Sequence, residues 1–373
     1  MTQLDIGIPG FILPEYIAQV PPYQRGTSTA KAGPSIKMSS NENPCANEWL
    51  KEKIFLIANM DHSRYPNDDY PLLKKLIAEL DDVELNKIFL GNGSSEILSL
   101  IARIFLNSER IVVQSEHTFP LLSICAKLSG ASVVLADSKH YKHDPAALVS
   151  QIIPGRTVLY VDNPNNPIGS LLKIDELKYL IESTRGTAFL VIDEAYHGLV
   201  CSDVYQSAAQ LCNDEKHVIV LRTFSKSFGM AGARVGYAIA NPNIISILEK
   251  YRPPFNISSI SSALACEALR DTKFTYSCAK YIESEMELMI QDSIISNHLV
   301  YKPAANYFSL RFEEQHADKI TDLLMSAGIL VKHMADDPAL IRVSIGKPHE
   351  NVFFRKSLST ALIKVNHLEE LEI

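Results

Sequence analysis

Between about residue 88 and residue 240, short apolar runs alternate with stretches of helical period. The runs at 111–114, 133–136, 158–161, 189–192, 218–221 and 235–240 are rich in Val, Ile and Leu and carry no strict polar alternation. That pattern predicts strands covered on both faces. Ile97, Ile101, Ile104 and Phe105 fall at i, i+4, i+7 and i+8, one face of a helix that opens at the turn Gly91-Asn92-Gly93-Ser94-Ser95-Glu96. Strands and helices in alternation predict an α/β fold built on a mostly parallel sheet.

After Arg252-Pro253-Pro254 the texture changes to longer helical periods, followed by short strands at 307–312 and 341–345. A smaller α+β unit fits this stretch, and the two prolines mark its start because proline ends a helix. The first forty residues hold many Pro and Gly and little periodicity, so they read as an arm packed on another part of the molecule. The expected organisation is an arm over 1–45 that joins the small domain, a large domain over 46–253 and a small C-terminal domain over 254–373.

Composition narrows the function. The chain has 373 residues, 46% hydrophobic and 21% charged, a balance that excludes disorder and collagen-like repeats. With 36 Lys+Arg against 43 Asp+Glu the net charge is −7, and no basic block offers a nucleic-acid footprint. No apolar run approaches the ~18 residues of a membrane span, and Asp5, Pro9 and Glu15 fall where a signal peptide would be apolar, so a cytoplasmic protein is expected. The cysteines at 45, 125, 201, 212, 266 and 278 form no CxxC pair or Cys/His cluster, and His140-Tyr141-Lys142-His143 reads as a polar loop. No metal is expected.

Four loop clusters follow predicted strands, where α/β proteins bind ligands. The Gly91 turn leads into a helix N-terminus whose free amides, with Ser94 and Ser95, suit a phosphate; Glu96 replaces the third glycine of a dinucleotide fingerprint and no Walker lysine follows. Asp162-Asn163-Pro164-Asn165-Asn166-Pro167-Ile168-Gly169 is a proline-stiffened loop that places the Asn166 amide. Asp193-Glu194-Ala195-Tyr196 puts a carboxylate at the end of a buried strand, where it needs a cation such as a protonated ring nitrogen. Taken alone, each of these also reads as ordinary turn or cap chemistry.

The fourth cluster runs from Arg222 through Thr223, Ser225 and Lys226 to Arg234. A lysine there, with a cation nearby and partial burial, can form a Schiff base. One ligand satisfies all four clusters: pyridoxal 5′-phosphate, with its aldehyde for Lys226, ring nitrogen for Asp193, ring oxygen for Asn166 and Tyr196, and phosphate for Ser94, Ser95, Ser225 and Arg234.

These motifs resemble the fold-type I pyridoxal-phosphate aminotransferases and, within them, the histidinol-phosphate aminotransferase family. The likeness runs over nearly the whole chain, through Ser40-Asn41-Glu42-Asn43-Pro44, Arg64-Tyr65-Pro66, the four clusters, Pro254-Phe255-Asn256 and Ile341-Arg342-Val343. It implies that Lys226, Asp193 and Tyr196 are catalytic and that Phe119 stacks on the cofactor ring. It implies further that Thr223 joins the phosphate site, that Tyr65 reaches that site from the neighbouring subunit of a homodimer, and that Arg342 and Tyr23 meet the substrate. The implied partners are a small amino donor and a 2-oxo acid, with 2-oxoglutarate expected.

The chain departs from the family in its substrate pocket. Gly328-Ile329-Leu330-Val331-Lys332 carries Lys332 where a second arginine is usual, and Lys cannot reproduce a bidentate grip on phosphate. Asn-Pro-Ile-Gly and Pro44-Cys45-Ala46 are further departures. Histidinol phosphate or a related donor is expected; an aromatic amino acid aminotransferase and a threonine-phosphate-type decarboxylase are the alternatives on the same fold. A cofactor-sensing regulator is disfavoured because the chain shows no DNA-binding segment.

Overall fold

The computed structural model describes residues 13–27, 35–45, 48–61, 63–201, 205–212 and 215–372. Asp5, Pro9 and Ala46 lie outside them. In chain order the strands are β1 (Ile36–Lys37), β2 (Ile88–Gly91), β3 (Ile111–Ser115), β4 (Ser132–Ala136), β5 (Thr157–Asp162), β6 (Ala188–Asp193), β7 (Val218–Thr223), β8 (Gly236–Ala240), β9 (Tyr307–Arg311), β10 (Ile329–Leu330), β11 (Lys332–His333) and β12 (Leu340–Ser344).

Seven of these strands make one sheet in the order β2-β8-β7-β6-β5-β3-β4. The pairs among β3 to β7 are parallel, and β8 runs antiparallel to both β2 and β7. Both faces are covered, as the unbroken apolar runs require. Val158 and Tyr160 face one core with Ile97 and Ile101 of the helix Ser94–Phe105, while Leu159 and Val161 face another with Leu177, Leu180 and Ile181 of the helix Ile174–Thr184. Each such aliphatic side chain contributes about 1.5–3 kcal/mol on leaving water. Strand β2 falls outside the strand expectations because its apolar run is only Ile88-Phe89-Leu90, too short to show a period.

Pro253 and Pro254 end the helix Pro242–Tyr251, yet the chain stays with the large sheet a little longer: Leu264, Ala265 and Cys266 of the next helix, Ser259–Arg270, pack in its core. Beyond, β11-β12-β9 form an antiparallel sheet over which Ile320, Leu324, Phe354 and Leu358 close a separate core. The arm segment joins this unit. β1 pairs parallel with β10, and Met38 is fully buried beside Phe308 and Val343. Residues 39–44 are thereby carried to the edge of the large sheet.

Candidate active site

Parallel strands all deliver their C-terminal ends to one edge, and there β3 ends at Ser115, β5 at Asp162, β6 at Asp193 and β7 at Thr223. The segments that follow, the start of the helix Ser94–Phe105 and residues of β11 and β12 line one cavity of about 990 Å³. Among the residues singled out from sequence, Tyr23, Ser94, Ser95, Phe119, Asn166, Asp193, Tyr196, Thr223, Ser225, Lys226, Arg234, Lys332 and Arg342 line it. Tyr65 does not. It is 80% exposed, stacks on Phe255 with ring centroids 4.4 Å apart, and lines a different hollow of about 660 Å³.

The buried strand β6 ends on two carboxylates that go opposite ways. Glu194 accepts from Arg222 Nε at 2.9 Å and Ser207 Oγ at 2.8 Å, a structural ion pair away from the cavity. Asp193 turns to the cavity, where its oxygens accept from Ala195 N (3.0 Å) and Tyr160 Oη (3.3 Å). Burial, reinforced by the negative charge of Asp162, pushes its carboxyl up to about 7. It is a carboxylate in want of a cation.

Lys226 lies on the turn after β7, and its Nζ donates to the carbonyls of Ser40 and Asn41, both at 3.0 Å. Burial, together with the positive charge of Arg342, lowers the amine to about 7. Nζ is 5.5 Å from the centroid of the Tyr196 ring. The Tyr196 hydroxyl accepts from Asn41 Nδ2 at 2.9 Å and Asn166 Nδ2 at 3.4 Å. Asn41 was part of the resemblance yet absent from the expected site; it is 155 positions from Tyr196 in the chain, and only β1–β10 pairing brings it in.

At the other end of the cavity no side chain caps the helix Ser94–Phe105, so its first amides remain available to an anion. Thr223 Oγ1 and Ser225 Oγ are 3.0 Å apart, and Arg234 Nη1 donates to Ser225 Oγ at 3.3 Å. Gly93 has φ +77°, and a Cβ there would collide with the Arg234 guanidinium; one on Gly236 would collide with the Ser94 amide. The glycines leave room for backbone and guanidinium to converge. Glu96, in place of a third glycine, accepts from Asn92 N (2.6 Å) and Asn256 Nδ2 (2.7 Å) and so ties the turn to the chain after β8.

Arg342 on β12 lies opposite Lys332 on β11. Its guanidinium donates to Asn166 Oδ1 at 2.6 Å and to the Ser39 carbonyl at 2.8 Å, and its buried Nε has no hydrogen-bond partner among the described residues. Lys332 Nζ donates to the carbonyls of Gln24 (3.1 Å) and Arg25 (3.4 Å), so it holds the arm segment. Tyr23, from that segment, meets Phe119 edge to face at 6.1 Å.

His143 corrects the polar-loop reading. It is 4% exposed, with Nδ1 2.7 Å from Ser115 Oγ and Nε2 3.1 Å from Asp162 Oδ1. A lone histidine in a polar stretch gives no sequence signal of such burial. Asp162, read only as the start of the proline-stiffened loop, and Tyr160, read only as part of a strand, gave no sign of a place in the site: only the fold sets them beside Asp193.

Comparison with known proteins agrees with this architecture. The family model for aminotransferase class I and II matches residues 34–353. Histidinol-phosphate aminotransferase 1 of Dechloromonas aromatica is 32% identical, covering 93% of this chain and 98% of its own. Histidinol-phosphate aminotransferase 2 of Nitrosospira multiformis is 30% identical over 94% and 92%. The solved histidinol-phosphate aminotransferase from Sinorhizobium meliloti in complex with pyridoxal 5′-phosphate superposes with a TM-score of 0.82 at 25% identity, over 89% of this chain and 91% of that one. The chain belongs to the class I and II aminotransferases and, within them, to the histidinol-phosphate aminotransferase family.

It is an aminotransferase, and its cofactor is pyridoxal 5′-phosphate. The cavity suits that group: a buried amine of lowered basicity for its aldehyde, a buried carboxylate without an ion pair among the described residues for its ring nitrogen, and an uncapped helix end beside Arg234 for its phosphate.

Proposed function

We propose that the protein moves the amino group of histidinol phosphate to 2-oxoglutarate. When bound, pyridoxal 5′-phosphate supplies a carbon that accepts the amino group and a ring that takes up electrons. Lys226 would hold that carbon through its Nζ and, with the amine free, would serve as the base and acid that moves a proton between the donor's α-carbon and the cofactor side. Asp193 would keep a proton on the ring nitrogen, Asn166 and Tyr196 would bind the ring oxygen, and Phe119 would pack on the ring. The amides of Ser94 and Ser95 hold the phosphate with Thr223, Ser225 and Arg234.

The observation that carries the donor assignment is the cation pair lining the cavity beside Asn166. Arg342 and Lys332 face each other across β12 and β11, two positive charges suited to a doubly charged phosphate ester. Burial and the nearby Arg342 also lower the basicity of Lys332. Tyr23 closes over this end. The experiment is a half-reaction screen in which purified holoprotein meets histidinol phosphate, phenylalanine, tyrosine and threonine phosphate. Conversion of the cofactor to its amine form fastest with histidinol phosphate supports the reading. Preference for an aromatic amino acid, or release of carbon dioxide from threonine phosphate, overturns it.

The working unit on this reading is a homodimer with shared sites, Tyr65 reaching the phosphate from a second copy of the chain. Its support is the exposure of Tyr65 and Phe255 beside a hollow lined by Ile57, Met60 and Leu72. Free thiols at all six cysteines are consistent with action in the cytoplasm. Among the described residues no helix is long and apolar enough to cross a membrane.

A further inference from the structure

Asp162 is the last residue of β5, in register with Asp193 on β6, and is 3% exposed. Its Oδ2 accepts from Asn166 N at 2.7 Å and Phe119 N at 3.3 Å. Its Oδ1 accepts from Thr118 Oγ1 at 2.5 Å, Asn165 Nδ2 at 3.0 Å and His143 Nε2 at 3.1 Å. Among the described residues, His143 is the basic side chain at hydrogen-bond distance from it. One carboxylate therefore joins two loops distant in sequence, each carrying a residue assigned to the cofactor.

We propose that Asp162, oriented by His143, is a positioning residue for the amino transfer: it fixes Phe119 and Asn166 relative to each other and sets a second negative charge behind Asp193. The inference rests on the assignment of Phe119, Asn166 and Asp193 to the cofactor. Only a carboxylate serves at this point, because two backbone N–H groups converge on Oδ2 and more donors on Oδ1, and an amide would turn its own N–H₂ against one set. His143 donates from Nε2, which leaves Nδ1 to share a proton with Ser115 Oγ.

The second charge acts on its neighbours. It adds to the burial that makes Asp193 hard to ionise, and Asp193 in turn gains more from a cation placed against it. The other ionisable groups facing this spot are Tyr160 on β5 itself, Tyr196 after β6 and Tyr307 on β9, with Lys226 and Arg342 across the cavity. A negative charge at Asp162 thus favours protonation of whatever ring sits on Asp193.

The test compares Asp162→Asn, Asp193→Asn and Thr118→Val holoproteins by the cofactor's visible absorbance against pH and by cofactor affinity of the stripped proteins. Asp162→Asn is expected to weaken the cofactor about tenfold, the effect of stranding a buried donor, and to move the absorbance midpoint to lower pH. Thr118→Val removes one donor and no charge and leaves the midpoint in place. An Asp162→Asn protein that melts earlier but keeps both affinity and midpoint overturns the proposal and leaves Asp162 a structural residue. If Asp162→Asn does not fold, His143→Gln decides: several-fold weaker cofactor binding supports the proposal, and unchanged binding overturns it. If Asp193→Asn also leaves the spectrum untouched, the cofactor assignment itself is what fails.

Discussion

Arg342 donates to the side-chain oxygen of Asn166 at 2.6 Å. The cation assigned to the donor's acidic end and the amide assigned to the cofactor's ring oxygen are thus directly joined, and a donor that draws on Arg342 pulls on the amide that touches the ring. On that assignment, substrate occupancy and cofactor electronics would be coupled through a single hydrogen bond.

Replacing Arg342 by Ala should therefore raise the donor's KM by at least about tenfold, as loss of a charge-assisted contact does, with a much smaller loss of cofactor affinity. A small shift in the cofactor's absorbance should accompany it, through Asn166. Titration of the stripped variant with pyridoxal 5′-phosphate checks this; equal loss of donor and cofactor binding would make Arg342 a structural residue.

On the proposed reading, Lys226→Ala removes the amine that would bond the cofactor. The wild-type protein should be yellow and fix its cofactor covalently on borohydride reduction, and the variant should do neither. Mass spectrometry of the reduced variant gives the answer, since a lysine-linked cofactor there refutes the assignment.

The buried Asp193 carboxyl, raised to about 7, binds a proton in the folded state at pH values where the unfolded chain, with its carboxyl near 3.8, has lost it. Its contribution to stability is full below about 3.8 and is lost as pH rises through about 7. In the cofactor-free protein, Asp193→Asn should accordingly raise Tm at pH 8, by about 2–4 °C for each kcal/mol gained, and give a clearly smaller gain at pH 5, part-way through that window. Calorimetry at the two pH values checks it. The same substitution must weaken cofactor binding, because the ring nitrogen loses its counter-charge.

Gly93 has φ +77° and ψ 161°, a region that is essentially glycine's alone. Gly93→Ala should cost about 1–3 kcal/mol in strain and displace the Arg234 guanidinium. Cofactor affinity should drop, and pyridoxal without its phosphate should bind the variant nearly as well as it binds wild type. A variant with undiminished affinity for the phosphorylated cofactor places the phosphate elsewhere.

Tyr65→Phe keeps the ring that stacks on Phe255 and removes only the hydroxyl. Sedimentation should show an unchanged dimer at micromolar concentration while cofactor affinity falls several-fold. A monomeric wild-type protein would remove the shared site altogether.

Much of this was legible because the signals are local. The doubly covered strands announce themselves as Val-rich runs, the glycine turn as a helix start, and Lys226 as a lysine among hydroxyls and small residues after a strand. What escaped depends on proximity that no spacing encodes. Asn41 meets Tyr196 only because β1 pairs with β10, and His143 finds Asp162 only across the ends of two strands. The proline pair at 253 likewise marks the end of a helix, whereas the core is set by Leu264 and its neighbours on the next one. Tyr65 shows the opposite limit: its expected role lies across a subunit boundary, and in one chain it faces away from the cavity.

The pairing of Ile36 with Ile329 also sets a timetable. The carbonyls of Ser40 and Asn41 that hold the lysine amine reach their places only once β10 exists, well after the strands of the large sheet. A nascent chain emerging from the ribosome can assemble the large sheet early, but the vitamin-binding chamber stays unfinished until β10 follows.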